Sequence, residues 1–245
     1  NGGRLLADLP PGTHDEHGSP RDDAARFSTL FAGDRGVCLG RSANQDSTDA
    51  LDKAVATLGI HGAVRWQAAD GRPPQRVRMY RFQLGRTRYL GILPSAAPEV
   101  EAEGPLTIDL PEEYNVYDCR AGTRLGSLRR LTVALRPGEP HVLALLPHKP
   151  TGIQATASFA RNSLTVSATL AAAPEPADHV FQITVTRAGE AQPFSCYTRG
   201  VVAPQGRAEI TIPLALNDPD GEWTVQVRDV ATGLGAVAKA VLARQ

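Results

Sequence analysis

The chain has 245 residues, enough for one large domain or two to three small ones, each able to bury a core. Its 26 basic and 26 acidic residues cancel, which argues against nucleic acid or an anionic membrane surface as the main partner, since both select a basic excess. No apolar run approaches the roughly 20 residues of a membrane-spanning helix, and 5% aromatics beside 23 glycines and 19 prolines suit short strands joined by tight turns.

Residues 1–8 read as a glycine turn followed by a short buried strand ending at Asp8. A polar loop, LPPGTHDEHGSPRDD, follows it. Asp22 and Asp23 suit the positive end of a short helix from Ala24 to Phe31. Ser47 caps a second helix from Thr48 to Leu58, with Leu51, Val55 and Leu58 on one face and Gly59 as its stop. Strand, loop and helix make an α/β pattern, but one strand cannot make a sheet. The expectation is therefore that residues 1–62 end a doubly wound domain whose earlier part lies upstream of Asn1. Its apolar residues would then need cover, and self-association or protease sensitivity is expected there. The sequence starts without Met, so a leader stays open.

From Val64 the apolar period changes to two. Val64–Gln67, Val77–Leu84 and Tyr89–Leu93 read as strands, separated by Asp70–Gly71 and Gly85–Thr87 turns. A loop with Glu99, Glu101 and Glu103 leads to Thr107–Leu110, expected to stop at Pro111. Tyr114–Tyr117, Leu131–Leu135 and the doubly buried run Val142–Leu146 complete about seven strands, a small sandwich over 63–150. Pro147-His148-Lys149-Pro150 reads as a hinge. Seven further strands with turn signals between them fill 151–245, an immunoglobulin-like spacing, with Trp223 facing inward beside Val225 and Val227. The fold class expected is mainly β: two small immunoglobulin-like β-sandwich domains preceded by a partial α/β segment.

Chemistry-bearing clusters are few. His14, Asp15, Glu16 and His17 are all possible metal ligands. The surrounding Pro11, Gly12, Gly18 and Pro20 make a loop, not the helical frame that would align His14 with His17. Cys38, Cys119 and Cys196 lack disulfide or metal spacing. Glu112, Glu113 and the Glu99–Glu103 loop read as exposed charges, not as the paired carboxyls of glycoside hydrolysis. Arg76, Arg78, Arg81, Arg86 and Arg88 form a solvated strand face or a docking face for an acidic neighbour. Ser195 lacks the setting of a nucleophile. No cofactor motif is present.

Three phrases carry a resemblance. GGRLLADLPPGTHDEHG resembles a stretch late in the glutamine-amidotransferase-like domain of large bacterial β-galactosidase-like glycoside hydrolases. YLGILP, DLPEEYNVYDCRAGTRLG and PGEPHVLALLP look like a small β domain near the end of the same proteins. PLALNDPDGEWTVQVRDVATG resembles immunoglobulin-like modules of exported bacterial proteins. The resemblance implies a trimerisation-type domain that follows a catalytic barrel and lacks amidotransferase chemistry, with upstream domains of the same protein, a homo-oligomer or a glycan as partners, and an extracytoplasmic location. The barrel that would hold catalytic carboxylates is not within these residues, so no catalytic residue carries over. The expected function is a non-catalytic C-terminal accessory region serving domain packing, oligomer contacts or presentation. Two alternatives stand beside it: a carbohydrate- or cell-surface-binding sandwich using Trp66, Tyr114 and Tyr117, for which a buried core position is the competing fate, and a metal-dependent hydrolase using the His14–His17 loop.

Overall fold

The computed structural model describes residues 5–7, 14, 19–21, 36–38, 64–72, 74, 76–95 and 104–243. Two compact units divide the chain, Asn1–Ala63 and Val64–Gln245. In the first, β1 (Leu5–Ala7) pairs in parallel with β2 (Gly36–Cys38), Leu5 opposite Gly36 and Ala7 opposite Cys38. Residues 1–62 thus hold a second strand, contrary to the single strand read from sequence. GVC is too short to show a period and itself begins with glycine, a poor strand former, so pattern alone misses it. The helices expected at 24–31 and 48–58 lie outside the described residues.

The second unit is mainly β, as expected. Its first part comprises β3 (Arg65–Gln67), β4 (Val77–Leu84), β5 (Thr87–Pro94), β6 (Pro105–Asp118), β7 (Thr123–Ala134) and β8 (His141–Leu146) in one sheet ordered β3-β6-β8-β5-β4, with β7 on β6. Pro111 does not end a strand. Leu110 to Glu113 fall between the pairs Asp109–Arg130 and Tyr114–Leu128, so the register with β7 shifts there and the missing proline N–H breaks no ladder bond. At this bulge β6 changes neighbour: Thr107–Asp109 pair with β3, and Asn115–Asp118 pair with β8. The bent β6 lets one sheet fold over its own core. Leu90, Ile92, Leu106, Ile108, Val116, Leu131, Leu143 and Leu145 are packed inside it.

The second part holds β9 (Lys149–Ala160), β10 (Ser163–Ala173), β11 (His179–Thr186), β12 (Arg199–Ala203), β13 (Arg207–Pro213), β14 (Gly221–Asp229) and β15 (Gly235–Leu242). They form two sheets, β13-β10-β9 and β12-β11-β14-β15, with Leu164, Val166, Phe181, Ile183, Val185, Trp223 and Val225 in one shared core. The seven strands and the inward Trp223 match the expectation. The expected strand at Pro193–Arg199 is instead a 3-10 turn at Ser195–Tyr197, with β12 starting at Arg199. Trp223 donates its indole N–H to the Pro219 carbonyl at 3.0 Å and meets Phe159 edge-on, ring centroids 5.4 Å apart.

Candidate functional site

The segment expected to be a hinge instead carries a buried histidine within a cluster of buried polar side chains. His148 lies between β8 and β9 with no solvent exposure. His179 opens β11, and Asp229 ends β14. Antiparallel pairing of Phe181 with Asp229 brings both to one end of their sheet. Asp229 also organises the turn into β15: its Oδ2 accepts the Thr232 N–H (3.0 Å) and hydroxyl (2.6 Å), an Asx-type turn.

The bonds fix one direction of proton donation. The Ala177 N–H reaches His148 Nδ1 at 3.3 Å, so that nitrogen is an acceptor. Neutral His148 therefore carries its proton on Nε2 and donates it to His179 Nε2, 2.8 Å away. His179 then holds its proton on Nδ1 and donates to Asp229 Oδ1 at 2.8 Å. Each imidazole nitrogen is engaged, and His148, His179 and Asp229 are all fully buried. Burial, reinforced by His179 and Arg86, pulls the His148 pKa down to about 4.

The walls of this site come from both β parts. Tyr117, Ala144 and Leu146 on the outer face of the first sheet pack with Ala231, flanked by Tyr89 and Cys119. Burial, then the charges of Asp118 and Asp229, push the Cys119 thiol up to about 12. Burial and Asp229 push the Tyr89 phenol above its ordinary range. Close by, Thr87 donates its hydroxyl to the Asp178 carbonyl at 2.8 Å. The β6–β7 and β14–β15 turns touch through Gly122 and Gly233.

A histidine–histidine–aspartate chain has the parts of a proton relay. Here no ring nitrogen is left to reach a substrate proton, which general acid–base catalysis requires. The Cys119 thiol is held protonated, and the Thr232 hydroxyl is spent on Asp229. The arrangement joins backbone segments instead.

The residues singled out from sequence are placed elsewhere. His14 is exposed and bridges to Pro20; Asp15, Glu16 and His17 lie outside the described residues. Among the described residues no group of three His, Cys, Asp or Glu could hold a metal ion. Trp66 is half-buried against the first core. Tyr114 and Tyr117 are 3% and 5% exposed, so the structure brings neither ring to the surface. Tyr114 donates its hydroxyl to Glu112 and accepts from Arg88 at 2.6 Å, and burial first, then Glu112, raise its pKa to about 12. Glu113 accepts from Ser127 at 2.6 Å, so both carboxylates of the bulge have partners. Among the described residues, the phenylalanine and tyrosine rings that face solvent are Tyr80 and Phe82, alternate residues on edge strand β4, beside exposed Leu93. The alternation of β4 was legible, but which of its faces stays open was not.

No protein-family profile and no curated protein matches the chain. Solved structures similar to it include a β-glucuronidase of Ruminococcus gnavus, 7% identical, with 68% of this chain and 44% of that one covered and a TM-score of 0.24. A β-glucuronidase of Lactobacillus rhamnosus is 9% identical, covering 63% and 35%, with a TM-score of 0.21. A chimeric titin Z1Z2 tandem is 16% identical, covering 69% and 97%, with a TM-score of 0.25. The chain spans less than half the length of these two glucuronidases. At such identities and scores the likeness carries no argument about activity, and the β character rests on the sheets themselves. Among the described residues no helix is long and apolar enough to cross a membrane.

Proposed function

We propose that the chain is a non-catalytic C-terminal accessory region of a glycoside-hydrolase-like protein. Residues 1–62 end an amidotransferase-like domain, and residues 63–150 and 151–245 are two β-sandwich domains packed as one support for upstream domains or a homo-oligomer. The observation that carries this reading is the solvent-closed chain from Ala177 through His148 and His179 to Asp229 and Thr232. It engages every ring nitrogen of His148 and His179 and ties the segment linking the two β parts into the second. The test is turnover of chromogenic galactosides and glucuronides by the purified chain. No turnover is expected, and clear turnover would overturn the reading.

Exposed Tyr80 and Phe82 favour a second reading, a carbohydrate- or cell-surface-binding module, because sugar C–H faces pack on open aromatic rings. Successive same-face residues of a strand stand roughly 6.8 Å apart, within the span of two sugar rings. Titration calorimetry against a glycan panel tests it. Binding lost in Tyr80→Ala and Phe82→Ala variants supports it, and a flat panel ends it.

A further inference from the structure

We infer that the His148–His179–Asp229 chain is an acid-sensitive latch: one added proton releases the Pro147–His148 linker from the second β part while both sheets stay folded. The inference rests on the reading of the two β parts as one packed support.

The argument is one of hydrogen-bond direction. The imidazoles offer two sites for an extra proton, His148 Nδ1 and His179 Nε2. A proton on the first sets two N–H groups against each other across the 3.3 Å contact with Ala177. A proton on the second does the same across the 2.8 Å contact between the rings. Either protonation turns a donor–acceptor pair into a donor–donor pair in a site closed to water, where a broken bond finds no solvent partner. The charged ring is accommodated only by leaving. His148 is the ring free to leave, because it sits between strands, whereas His179 is within β11 and Asp229 within β14.

The groups around the latch come from several elements. Tyr89 of β5, Tyr117 of β6 and Cys119 of the following turn are raised by burial and stay protonated through the acidic range. Arg86, from the β4–β5 turn, opposes a proton on His148, while Asp229 favours one. Asp118 lies beside Cys119, and Asp178 lies against Gly85 and accepts the Gln205 N–H at 3.0 Å. A carboxyl titrating among these is the rival source of an acid response, and the variant below separates the two.

The experiment is amide exchange by NMR on the whole chain from pH 7 to pH 4.5, corrected for intrinsic exchange. The Ala177 amide, bonded to His148, and the Thr232 amide, bonded to Asp229, report the latch; Val225, in the middle of β14, reports the sandwich. Opening at Ala177 is expected to rise by up to about tenfold per pH unit below the ordinary histidine pKa, the signature of one proton taken up on opening, with Val225 opening at a higher free energy than Ala177 at every pH. His148→Gln keeps an uncharged N–H for His179 and is expected to abolish the acid response. Unchanged protection at Ala177, equal opening free energies at Ala177 and Val225, or the same response in His148→Gln would each overturn the latch. Should that variant fail to fold, ¹⁵N shifts of the native imidazoles at pH 7 decide. Protons on His148 Nε2 and His179 Nδ1 are expected, and the opposite tautomers overturn the proposal. Failure here without glycosidase turnover leaves the accessory reading standing; turnover removes that reading whatever the latch does.

Discussion

Gly122 and Gly233 meet backbone to backbone, so closely that a Cβ on Gly233 would lie 2.7 Å from the Gly122 Cα and 3.0 Å from its carbonyl oxygen. The two glycines belong to the β6–β7 and β14–β15 turns, and the contact therefore joins the two β parts. Gly233 also has φ of +76°, where a side chain costs about 1–2 kcal/mol on its own. Gly233→Ala adds overpacking to that strain and is expected to destabilise the chain by on the order of 3 kcal/mol. Gly189 provides the control: φ is +74°, but nothing stands within 4 Å of its Cβ position. Gly189→Ala is expected to show the strain alone, near 1 kcal/mol. Urea unfolding of both variants checks this, and equal losses would remove the contact's role.

Burial of neutral His148 also sets a pH dependence of global stability. Its folded pKa of about 4 lies below the ordinary value of 6.5. Between these values the unfolded chain binds the extra proton and the folded chain does not, so stability rises with pH. The contribution is complete above about pH 6.5 and is lost as pH falls toward 4. At about 1.4 kcal/mol per unit, it amounts to roughly 3 kcal/mol. The difference in unfolding free energy between the native chain and His148→Gln, measured at pH 7 and pH 4.5, is expected to shrink or reverse at the lower pH. A difference independent of pH would contradict the buried neutral ring.

The β periodicity from Val64 onward was legible because strands with one buried face alternate by chemistry: Leu106, Ile108 and Leu110 are inside, as their spacing implies. The strand through Pro111 was not, since proline signals an end unless a bulge takes it, and a bulge needs knowledge of the partner strand. Nor was the candidate site. His148, His179 and Asp229 are 31 and 50 residues apart, and no spacing rule joins them. The proline-flanked histidine read as a hinge because composition reports local stiffness and solvation, whereas His148 is buried by strands far away in sequence. The aromatic residues mislead for a similar reason. Tyr117 and Tyr80 look equivalent on alternating strands, and only the packing of Ala231 over one sheet face distinguishes them.

A second buried polar group anchors the other end of the sandwich. Asp218 is 3% exposed. Burial disfavours its charge, but hydrogen bonds from the Tyr197 hydroxyl, Arg187 and the Ala215 N–H outweigh that and hold its carboxyl below the usual range. Tyr197→Phe removes one of these donors and leaves the Ala215 N–H, at 2.8 Å, and Arg187, at 3.1 Å, in place. A loss of about 2 kcal/mol is expected, as for a hydrogen bond to a charged group. A depressed carboxyl stabilises above its unfolded pKa, so this loss is expected in full at pH 7 and to fade as pH falls below about 4. Thermal melts of the pair at pH 7 and pH 3 check both the size and the fading.

Trp223 allows a test of whether the two β parts act as one body. The chain has two tryptophans, Trp66 in β3 and Trp223 in β14. Trp223 is fully buried between Phe159 and Tyr197, so Trp223→Ala is expected to cost about 3–5 kcal/mol. The variant leaves Trp66, at the far end of the six-stranded sheet order, as the single tryptophan, read by excitation at wavelengths where tyrosine does not absorb. The mutation touches the second core alone, and Trp66 belongs to the first. If the histidine chain, the glycine contact and the Tyr117–Ala231 packing couple the cores, the Trp66 transition moves to lower urea together with the loss of β signal by circular dichroism. A Trp66 midpoint that stays at its native value while the circular dichroism midpoint falls would show two independently unfolding domains. A rigid support would then need another source, because these contacts would carry too little free energy to bind one domain's folding to the other's.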